Sequence, residues 1–430
     1  MKKKLALHWK ILIGMILGIA WGLLSIKFGW NEITSDWIKP WGTIFINLLK
    51  LIAVPLILVS LINGISNLTD ITKLSRIGLK SISLYIISTV IAISIGLILV
   101  NSTQPGKLFP ENKRVAFQEK FGINIETGQK QAELVKKQGP LQKIVEVVPD
   151  NLFSSMSDNS KMLQVIFFAI LFGIAMVMLP SEKVNPIKKV VDSLNEIVLK
   201  IIEIIMRGAP YGVFALLAAL IVDVAGEKMD DTLDLFAALG LYALTVIIGL
   251  IILIVIVYPT FIRLFAKVKY FHFLSGIFPA QLLAFSTSSS AATLPVTMEC
   301  VEKNLGVSKE VSSFVLPLGA TINMDGTSLY QAVAAVFIAH AFGFELSLSA
   351  QLTIILTATL ASIGSAAVPG AGMVMLVIVL EAIGLPAAGI ALIFAVDRPL
   401  DMLRTVVNVT GDCTICSIVA HSEGKLNHTS

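Results

Sequence analysis

Long runs of apolar residues alternate along the chain with short, charged segments. Five stretches carry no Asp, Glu, Lys or Arg, namely 81–106, 162–181, 235–262, 270–298 and 346–380. A helix needs about 20 mostly apolar residues to cross the hydrocarbon core of a bilayer. Together with weaker runs, the pattern predicts ten apolar helical segments, at 9–27, 42–65, 79–101, 160–180, 192–222, 233–262, 273–300, 310–341, 348–384 and 388–420. The sequence therefore predicts an all-α polytopic membrane protein.

Two of these segments, 273–300 and 348–384, are interrupted near their centres by Ser, Thr, Gly and Pro. As a straight helix, the uncharged run 346–380 would be about 52 Å long at ~1.5 Å per residue, well beyond a core of about 30 Å. Irregular backbone at membrane depth is tolerated only where it is buried in protein or lines a cavity. We therefore expect both segments to fold back as re-entrant helical hairpins, which leaves eight transmembrane helices.

The two hairpin centres also resemble each other. Ser-Ala-Ala-Thr-Leu-Pro occupies 290–295, and Ser-Ala-Ala-Val-Pro occupies 365–369. Interrupted hydrophobic segments at matching positions of two halves indicate an inverted-repeat transporter whose binding site lies near the interruptions. On composition alone, chance similarity between two runs of small residues stays open as the alternative.

Lysine and arginine are concentrated in every second loop between the predicted spans. The basic clusters are Lys2, Lys3, Lys4 and Lys10; Lys73, Arg76 and Lys80; Lys183, Lys188 and Lys189; and Arg263, Lys267 and Lys269. Basic loops stay on the cytoplasmic side of a membrane. We therefore expect a multi-pass protein of the plasma membrane with both termini cytoplasmic and the polar segment 101–161 outside.

Composition excludes several other classes of protein. Only 14% of the residues are charged and 55% are hydrophobic, which rules out a soluble enzyme, since soluble proteins are about 25% charged. The net charge is +4 and no basic stripe with interleaved aromatics occurs, so nucleic acid is not an expected partner. The cysteines Cys300, Cys413 and Cys416 are too few for a disulfide framework, and Cys413 and Cys416 lack further soft ligands for zinc.

Polar residues cluster at the midpoint of the predicted span 310–341. Asn323, Asp325 and Gly326 stand together there, although Asn, Asp and Gly disfavour a helix interior. A local unwinding would free backbone carbonyls, whose oxygens suit a hard cation such as Na⁺. Taken alone, the neighbouring Met324 is better explained by packing.

The last predicted span is richer in charge. At 100° per residue, a stripe about 80° wide contains Asp397, Asp401, Arg404, Asn408 and Asp412. Charges inside a membrane are costly, so they are usually paired or functional. A structural Asp–Arg ladder would account for one pair, with Arg398 or Arg404 as the partner of Asp397. At least one carboxylate is left over, which indicates a site for a cation or for a substrate ammonium.

These features together resemble one family. The two hairpins, the motif Asn-Met-Asp-Gly-Thr at 323–327 and the motif Asp-Met-Leu-Arg-Thr-Val-Val-Asn-Val-Thr-Gly-Asp at 401–412 are similar to those of the dicarboxylate/amino acid:cation symporters, the glutamate transporter homologues. The resemblance covers nearly the whole chain. It implies a homotrimer in the lipid bilayer that imports glutamate or aspartate by secondary active symport, with Na⁺ as the coupling ion.

The resemblance also implies a division into domains. A scaffold would comprise 1–78 (spans one and two) and 160–225 (spans four and five). A mobile transport domain would comprise 79–101 (span three) and 226–430 (span six, the first hairpin, span seven, the second hairpin, span eight and a cytoplasmic tail). The segment 102–159 would be an extracellular polar loop. The transport domain would slide across the membrane as an elevator.

Substrate-binding residues follow from the same resemblance. They would be Ser289, Ser290, Thr327, Val368, Gly372, Asp401, Arg404, Thr405 and Asn408. Ser290 and Asn408 would hold the α-carboxylate, and Asp401 would hold the ammonium. Arg404 and Thr327 would take the side-chain carboxylate.

The implied Na⁺ ligands form three sets. One set is Asp412 with the backbone carbonyls of Gly319, Asn323 and Asn408. A second set is the Met324 sulfur with the carbonyls of Thr321, Ser362, Ile363 and Ser365. The third set is Tyr85, Ser88, Thr89, Asn323 and Asp325. Archaeal family members often carry an arginine where Ser288 stands, and here Arg398, next to the substrate face, is the basic residue that could serve the same electrostatic purpose.

Two other functions compete with this one. An intramembrane protease would use the buried serines or aspartates, but Ser288–Ser290 have no glycine-flanked turn and no matched histidine base. Arg404 also stands between the acids that an aspartyl protease would need. The same fold could instead carry neutral amino acids or C4-dicarboxylates, driven by protons. A dicarboxylate has no ammonium, so Asp401 would repel it.

Overall fold

The computed structural model describes residues 7–66, 71–108, 148–157, 161–225, 230–365, 367 and 369–426. Lys2, Lys3, Lys4, most of the predicted loop 102–159, and Val368 lie outside the described residues. Within these ranges the chain is almost wholly helical. The α-helices are α1 Leu7–Phe28, α2 Asn31–Ile33, α3 Lys39–Ser66, α4 Ile71–Thr103, α5 Leu152–Met156, α6 Met162–Met178, α7 Ser181–Arg207, α8 Ala209–Ala225, α9 Asp230–Ile252, α10 Tyr258–Phe261, α11 Tyr270–Thr287, α12 Ser290–Leu305, α13 Lys309–Ile322, α14 Asp325–Ala341, α15 Leu348–Gly364, α16 Ala371–Ala382 and α17 Ile390–Ser422. Short π-helical segments are Thr34–Ile38, Leu253–Val257 and Ile262–Ala266, and 3₁₀ turns are Pro105–Leu108 and Ala387–Gly389.

Several helices have the length and apolar composition of membrane spans. Four runs among the described residues meet both criteria, namely Asn31–Asn63, Arg76–Leu108, Leu235–Ala266 and Val396–Ser422. The pair α7 and α8, bent by 52°, would make a fifth. Shorter apolar helices are Ile13–Phe28, Gln164–Met178, Leu348–Ile363 and Ala371–Ala382. The prediction of an all-α, multi-pass membrane protein is confirmed.

The chain bends by 52° within the predicted span 192–222. Gly208 separates α7 from α8 and is followed closely by Pro210. Proline lacks the N–H that would continue a helix but is well tolerated in a first helical turn, which suits Pro210 to the start of α8 in a new direction.

A stripe of glycines brings α1 and α8 together. A Cβ on Gly14 would lie 2.4 Å from the carbonyl oxygen of Pro210, and one on Gly18 would lie 2.6 Å from that of Phe214. Glycines four residues apart form a flat strip that lets two helix backbones approach closely, which is how helices gain packing contact in a lipid environment. Any larger side chain in this strip would force the two helices apart.

The packing of the helices distinguishes two groups, and α14 and α17 form the centre of the second group. Every residue of α14 is buried, including Asp325 and Gln331. Helix α14 packs against α4, α17, α15 and α9, and α17 packs in addition against α11 and α13. The other helices group around α3, which contacts α6, α7 and α8. Contacts of α3 with α15 and α16, and of α8 with α17, join the two groups.

The carboxy-terminal segment beyond α17 folds back onto two earlier elements. The Glu423 carboxylate accepts a hydrogen bond from Lys80 and lies 3.3 Å from Nε of Arg76. The backbone N–H of Ser308 donates to the Lys425 carbonyl at 3.0 Å. The hydrogen bond from Lys80, together with the positive charges of Lys80 and Arg76, holds the pKa of Glu423 below its ordinary value. This clasp ties the start of α4 to the loop between α12 and α13.

Candidate functional site

A polar recess lies where α14, α17 and the ends of two helix pairs converge. It is lined by Ser288, Ser290, Met324, Thr327, Ser365, Ala367, Gly372, Asp401, Thr405 and Asn408. Most of the predicted substrate residues therefore line one recess. Of the others, Arg404 and Ser289 are buried against its wall, and Val368 lies outside the described residues.

The recess is closed on one side by two helix breaks. Helix α11 ends at Ser288, which has a left-handed backbone (φ 51°), and Ser289 caps α12 by accepting a hydrogen bond from the N–H of Ala292 at 3.1 Å. The second break separates α15 from α16. The Ser289 hydroxyl donates to the Ala367 carbonyl at 2.6 Å, and the Ala291 N–H lies 3.5 Å from the same oxygen. The two tips are thus in direct contact.

The predicted unwinding of span 310–341 lies at Asn323 and Met324, between α13 and α14. Asn408 on α17 pins the new helix start, because its Oδ1 accepts from the Gly326 N–H at 2.8 Å and its Nδ2 donates to Thr327 Oγ1 at 3.2 Å. A Cβ on Gly326 would lie 2.7 Å from the carbonyl oxygen of Arg404. Only glycine permits this close approach of α14 to α17.

Four charged side chains form a chain of ion pairs beside the recess. Arg404 Nη2 donates to Asp397 Oδ1 at 3.0 Å and to Asp401 Oδ1 at 2.9 Å, and Arg398 Nη1 donates to Asp401 Oδ2 at 3.1 Å. The structural partner of Asp397 is therefore Arg404. Asp401 is held by two arginines, so the expected surplus carboxylate of the stripe is not Asp401 but Asp412.

Arg404 is the largest fully buried side chain among the described residues. Its guanidinium carbon lies 3.7 Å from the ring centroid of Tyr330, a cation–π contact. Among the described residues, none accepts a hydrogen bond from its Nε or Nη1. A Cβ on Gly372 would lie 3.7 Å from Nη1, so this unsatisfied donor lies beside a residue of the recess wall. A buried donor without a partner is costly, and a ligand carboxylate would relieve that cost.

Asp325 is held by neutral hydroxyl groups. Ser88 donates to Oδ2, Thr89 donates to Oδ1 at 2.9 Å, and Tyr258 donates to Oδ2 at 3.0 Å. Tyr85, which the sequence grouped with them, instead donates to the Val315 carbonyl at 3.0 Å. Sequence reasoning missed Tyr258, because nothing in the uncharged run 235–262 distinguishes this tyrosine from one that only packs, such as Tyr242.

Asp412 contacts a second group of predicted ligands. Asn323 Nδ2 donates to Asp412 Oδ1 at 3.0 Å, while Asn323 Oδ1 is buried without a donor. A Cβ on Gly319 would lie 2.5 Å from the Tyr85 hydroxyl and 2.6 Å from Asp412 Oδ1. Members of the predicted first and third sets therefore lie next to one another here, namely Gly319, Asn323, Asp412 and Tyr85.

Ser362 and Met324, two members of the second predicted set, meet at the break between α13 and α14. The Ser362 hydroxyl bridges the break, since it donates to the Ile322 carbonyl and accepts from the Met324 N–H, both at 3.0 Å. Met324 and Ser365 line the recess, and the buried Ser365 Oγ has no hydrogen-bond partner within the described part of the chain. Thr321 is exposed, and its hydroxyl donates to the Leu318 carbonyl at 2.9 Å. Ile363 packs with its side chain against the apolar core.

The donor groups fit a hard cation. Among the described residues, neither Asp325 nor Asp412 forms a salt bridge, and both are buried. Carboxylate, carbonyl, amide and hydroxyl oxygens surround them, which are the ligands that hard cations prefer. The side-chain oxygen Oδ1 of Asn323, which receives no hydrogen bond from a described residue, adds one more oxygen ligand next to Asp412.

Comparison with known proteins agrees with the geometry. The profile of the sodium:dicarboxylate symporter family matches residues 7–422. The chain is 34% identical to a proton/sodium-glutamate symport protein of Geobacillus stearothermophilus, over 99% of this chain and 96% of the relative. It is 36% identical to excitatory amino acid transporter 3 of Oryctolagus cuniculus (97% and 86%) and 34% identical to the proton/glutamate-aspartate symporter of Escherichia coli K12 (99% and 94%). The chain therefore belongs to the sodium:dicarboxylate symporter family, and it is a transporter rather than a protease or any other enzyme.

Proposed function

We propose that this protein imports acidic amino acids, glutamate and aspartate, by secondary active symport coupled to Na⁺. The observation that carries the proposal is the buried Arg404 guanidinium, whose Nη1 has no acceptor among the described residues and lies beside Gly372 in the recess wall. A guanidinium binds a carboxylate through parallel charge-assisted hydrogen bonds that a neutral side chain cannot form. The names of the relatives, which include glutamate and aspartate, support the same substrate class.

The substrate would bind in the recess between the two helix breaks. Arg404 and Thr327 would bind its side-chain carboxylate, and Asn408 with Ser290 would bind its α-carboxylate. Asp401 would take the ammonium. Ser289, Thr405, Gly372 and Val368 would complete and close the site.

Na⁺ would be bound around the two acids that lack a basic partner. Asp412 with Gly319, Asn323 and Asn408 would form one site, and Asp325 with Tyr85, Ser88, Thr89 and Asn323 would form another. A third would use Met324 with carbonyls of Thr321, Ser362, Ile363 and Ser365. Tyr258 would support the Asp325 site, because its hydroxyl donates to the same carboxylate oxygen, Oδ2, as the Ser88 hydroxyl.

The transport cycle would use an elevator movement in a homotrimer of the plasma membrane, with both termini cytoplasmic. Eight spans and two re-entrant hairpins, α11–α12 and α15–α16, would form the fold of each protomer. The scaffold would be 1–78 with 160–225, and the moving domain 79–101 with 226–430. Supporting this division, α3 contacts α6, α7 and α8, whereas α4 packs against α14 and α9.

The decisive experiment is uptake into proteoliposomes with the Na⁺ and pH gradients imposed separately. Labelled aspartate, glutamate, serine and succinate would be compared at equal concentration. The proposal predicts uptake of aspartate or glutamate that requires an inward Na⁺ gradient. Uptake that follows the pH gradient and ignores Na⁺ would reject the coupling, and a preference for serine or succinate would reject the substrate class. The separate gradients test the proton-coupled alternative as well, since one relative is named as a proton/sodium symport protein and another as a proton symporter.

A further inference from the structure

Asp401 lies in the wall of two cavities, the polar recess and a second, mainly apolar one. The apolar residues that line the second cavity include Ile11, Phe45, Leu49, Met206, Met373 and Phe394. Asp397, Arg398 and Asp401 form its charged corner. Helices α1, α3 and α7 thus meet the charged stripe of α17 at this cavity.

Arg398 holds Asp401 from within this apolar cavity. Its Nη1 donates to Asp401 Oδ2 at 3.1 Å, and both side chains are only 11% exposed. Its Nε is buried without a hydrogen-bond partner. Since Arg404 occupies the other oxygen, Oδ1, at 2.9 Å, each oxygen of Asp401 is bound to an arginine.

We infer that Arg398 is a specificity-determining residue that favours acidic over neutral amino acids by acting through Asp401. The inference rests on the proposed function, in which Asp401 receives the substrate ammonium. Two aspartates and two arginines give the cluster a net charge of zero. The ammonium of every amino acid must compete with Arg398 for Asp401. Only an acidic amino acid also brings an additional negative charge close to Arg398, which can offset the weakened ion pair.

Removing Arg398 should lower the affinity for acidic amino acids relative to the affinity for neutral ones. The cluster would carry one net negative charge, which repels an acidic amino acid but not a neutral zwitterion. Asp401 would also be free to bind the ammonium of any amino acid. For a separation on the order of 8 Å and an effective dielectric constant of about 20, losing one unit charge would change the association constant on the order of thirtyfold. The ratio of aspartate to serine affinity should therefore fall by at least about tenfold.

A purely structural role predicts a different result. If Arg398 only neutralised the carboxylates or filled the cavity, its removal would weaken the fold and lower the affinities for aspartate and serine by similar factors. The ratio of the two affinities separates these roles, because a general loss of stability does not change it.

The test is calorimetric titration of the purified full-length protein in saturating Na⁺ with aspartate and with serine. Arg398→Met removes the charge while keeping an unbranched side chain, Arg398→Gln keeps a polar group, and Arg398→Lys keeps the charge. The matched control is Arg207→Met on α7, since Arg207 is 67% exposed and pairs with Glu203 on the surface.

We expect Arg398→Met and Arg398→Gln to lower the aspartate-to-serine ratio, and Arg398→Lys and Arg207→Met to preserve most of it. An unchanged ratio in Arg398→Met, or equal losses for both ligands, overturns the inference. If Arg398→Met does not fold, the same decision is made from Arg398→Gln against Arg398→Lys, and equal ratios in that pair overturn it. Failure of the proposed function looks different, since the wild type itself would then not bind aspartate or glutamate.

Discussion

Replacing Arg404 with cysteine tests whether this guanidinium selects the substrate or only supports the protein. Arg404 makes two ion-paired hydrogen bonds, to Asp397 and Asp401, and keeps Nε and Nη1 free for a ligand. We expect Arg404→Cys to lose acidic substrates and to retain small neutral amino acids, because Arg398 still holds Asp401 in place.

The size of the effect follows from the bonds that are lost. A hydrogen bond to a charged group contributes about 1.5 to 3 kcal/mol. Two such bonds to the side-chain carboxylate of aspartate amount to about 3 to 6 kcal/mol, or on the order of 10² to 10⁴ in affinity. Serine makes neither bond, so its affinity should change by no more than about tenfold.

A matched double variant separates selection from structural support. Arg404→Cys alone leaves Asp397 buried without its partner, which costs about 3 to 5 kcal/mol of stability. Arg404→Cys with Asp397→Asn removes that charge, so that Asp401 and Arg398 form a neutral pair. Aspartate and serine binding would be measured by calorimetry, and thermal unfolding would be followed in parallel.

The double variant should regain stability but still fail to bind aspartate. If Arg404 only neutralised Asp397, the double variant would recover both stability and aspartate binding. That recovery, or a single variant that still prefers aspartate over serine, would refute the assignment of Arg404 to the substrate carboxylate.

Three further predictions concern the cation, the closure of the recess and the carboxy-terminal clasp. Asp412→Asn should raise the Na⁺ concentration for half-maximal uptake by at least about tenfold, since it removes a buried charge without a basic partner; an unchanged Na⁺ dependence would exclude Asp412 as a ligand. A cysteine pair at Ala291 and Ala367 should abolish uptake when oxidised and restore it on reduction, because the N–H and carbonyl of these residues lie 3.5 Å apart; full transport by the crosslinked protein would rule out opening between the two tips. The lowered pKa of Glu423 means that its ion pair with Lys80 stabilises the protein above the ordinary pKa of about 4.5 and loses this contribution as the pH falls through the lowered value. Glu423→Gln should therefore lower stability by about 0.5 to 1 kcal/mol at neutral pH and by less in acid, as unfolding at both pH values would measure, and an equal loss at both would contradict the ion pair.

Much of this architecture is readable from the sequence because the membrane imposes a simple pattern. Uncharged runs predicted the helices, and the polar cluster at Asn323 and Asp325 predicted the break between α13 and α14. The periodicity of α17 placed Asp401 and Arg404 on one face. Which oxygen of Asp401 each arginine binds could not be predicted in this way, because it depends on side-chain conformation rather than on position along a helix.

Contacts between distant elements were harder to predict for a different reason. Tyr258 reaches Asp325 across 67 residues of sequence, and Ser289 reaches Ala367 across 78. Neither contact has a local signature, since a tyrosine in an apolar helix and a serine in a small-residue turn are common in packing roles. The family resemblance did not indicate Tyr258 either.

The buried acids of the second helix group divide into two kinds, and this division gives a physical reason for coupling. Asp397 and Asp401 are neutralised by arginines, whereas Asp325 and Asp412 are bonded, among the described residues, only to hydroxyl and amide groups. A carboxylate buried in a membrane without an opposite charge is costly, so a bound cation would stabilise the surrounding structure strongly. The part that it would stabilise is the segment 323–327, which contains the break between α13 and α14. Asn323 of this segment contacts Asp412 and Asp325 is the other acid, while Met324 and Thr327 line the recess. A cation that fixes this break raises the affinity of any substrate that needs it fixed, and by reciprocity the substrate raises the affinity of the cation equally. Symport then requires no relay between distant elements, because Asn323 and Asp325, assigned to the cation, and Thr327, assigned to the substrate, belong to one five-residue segment.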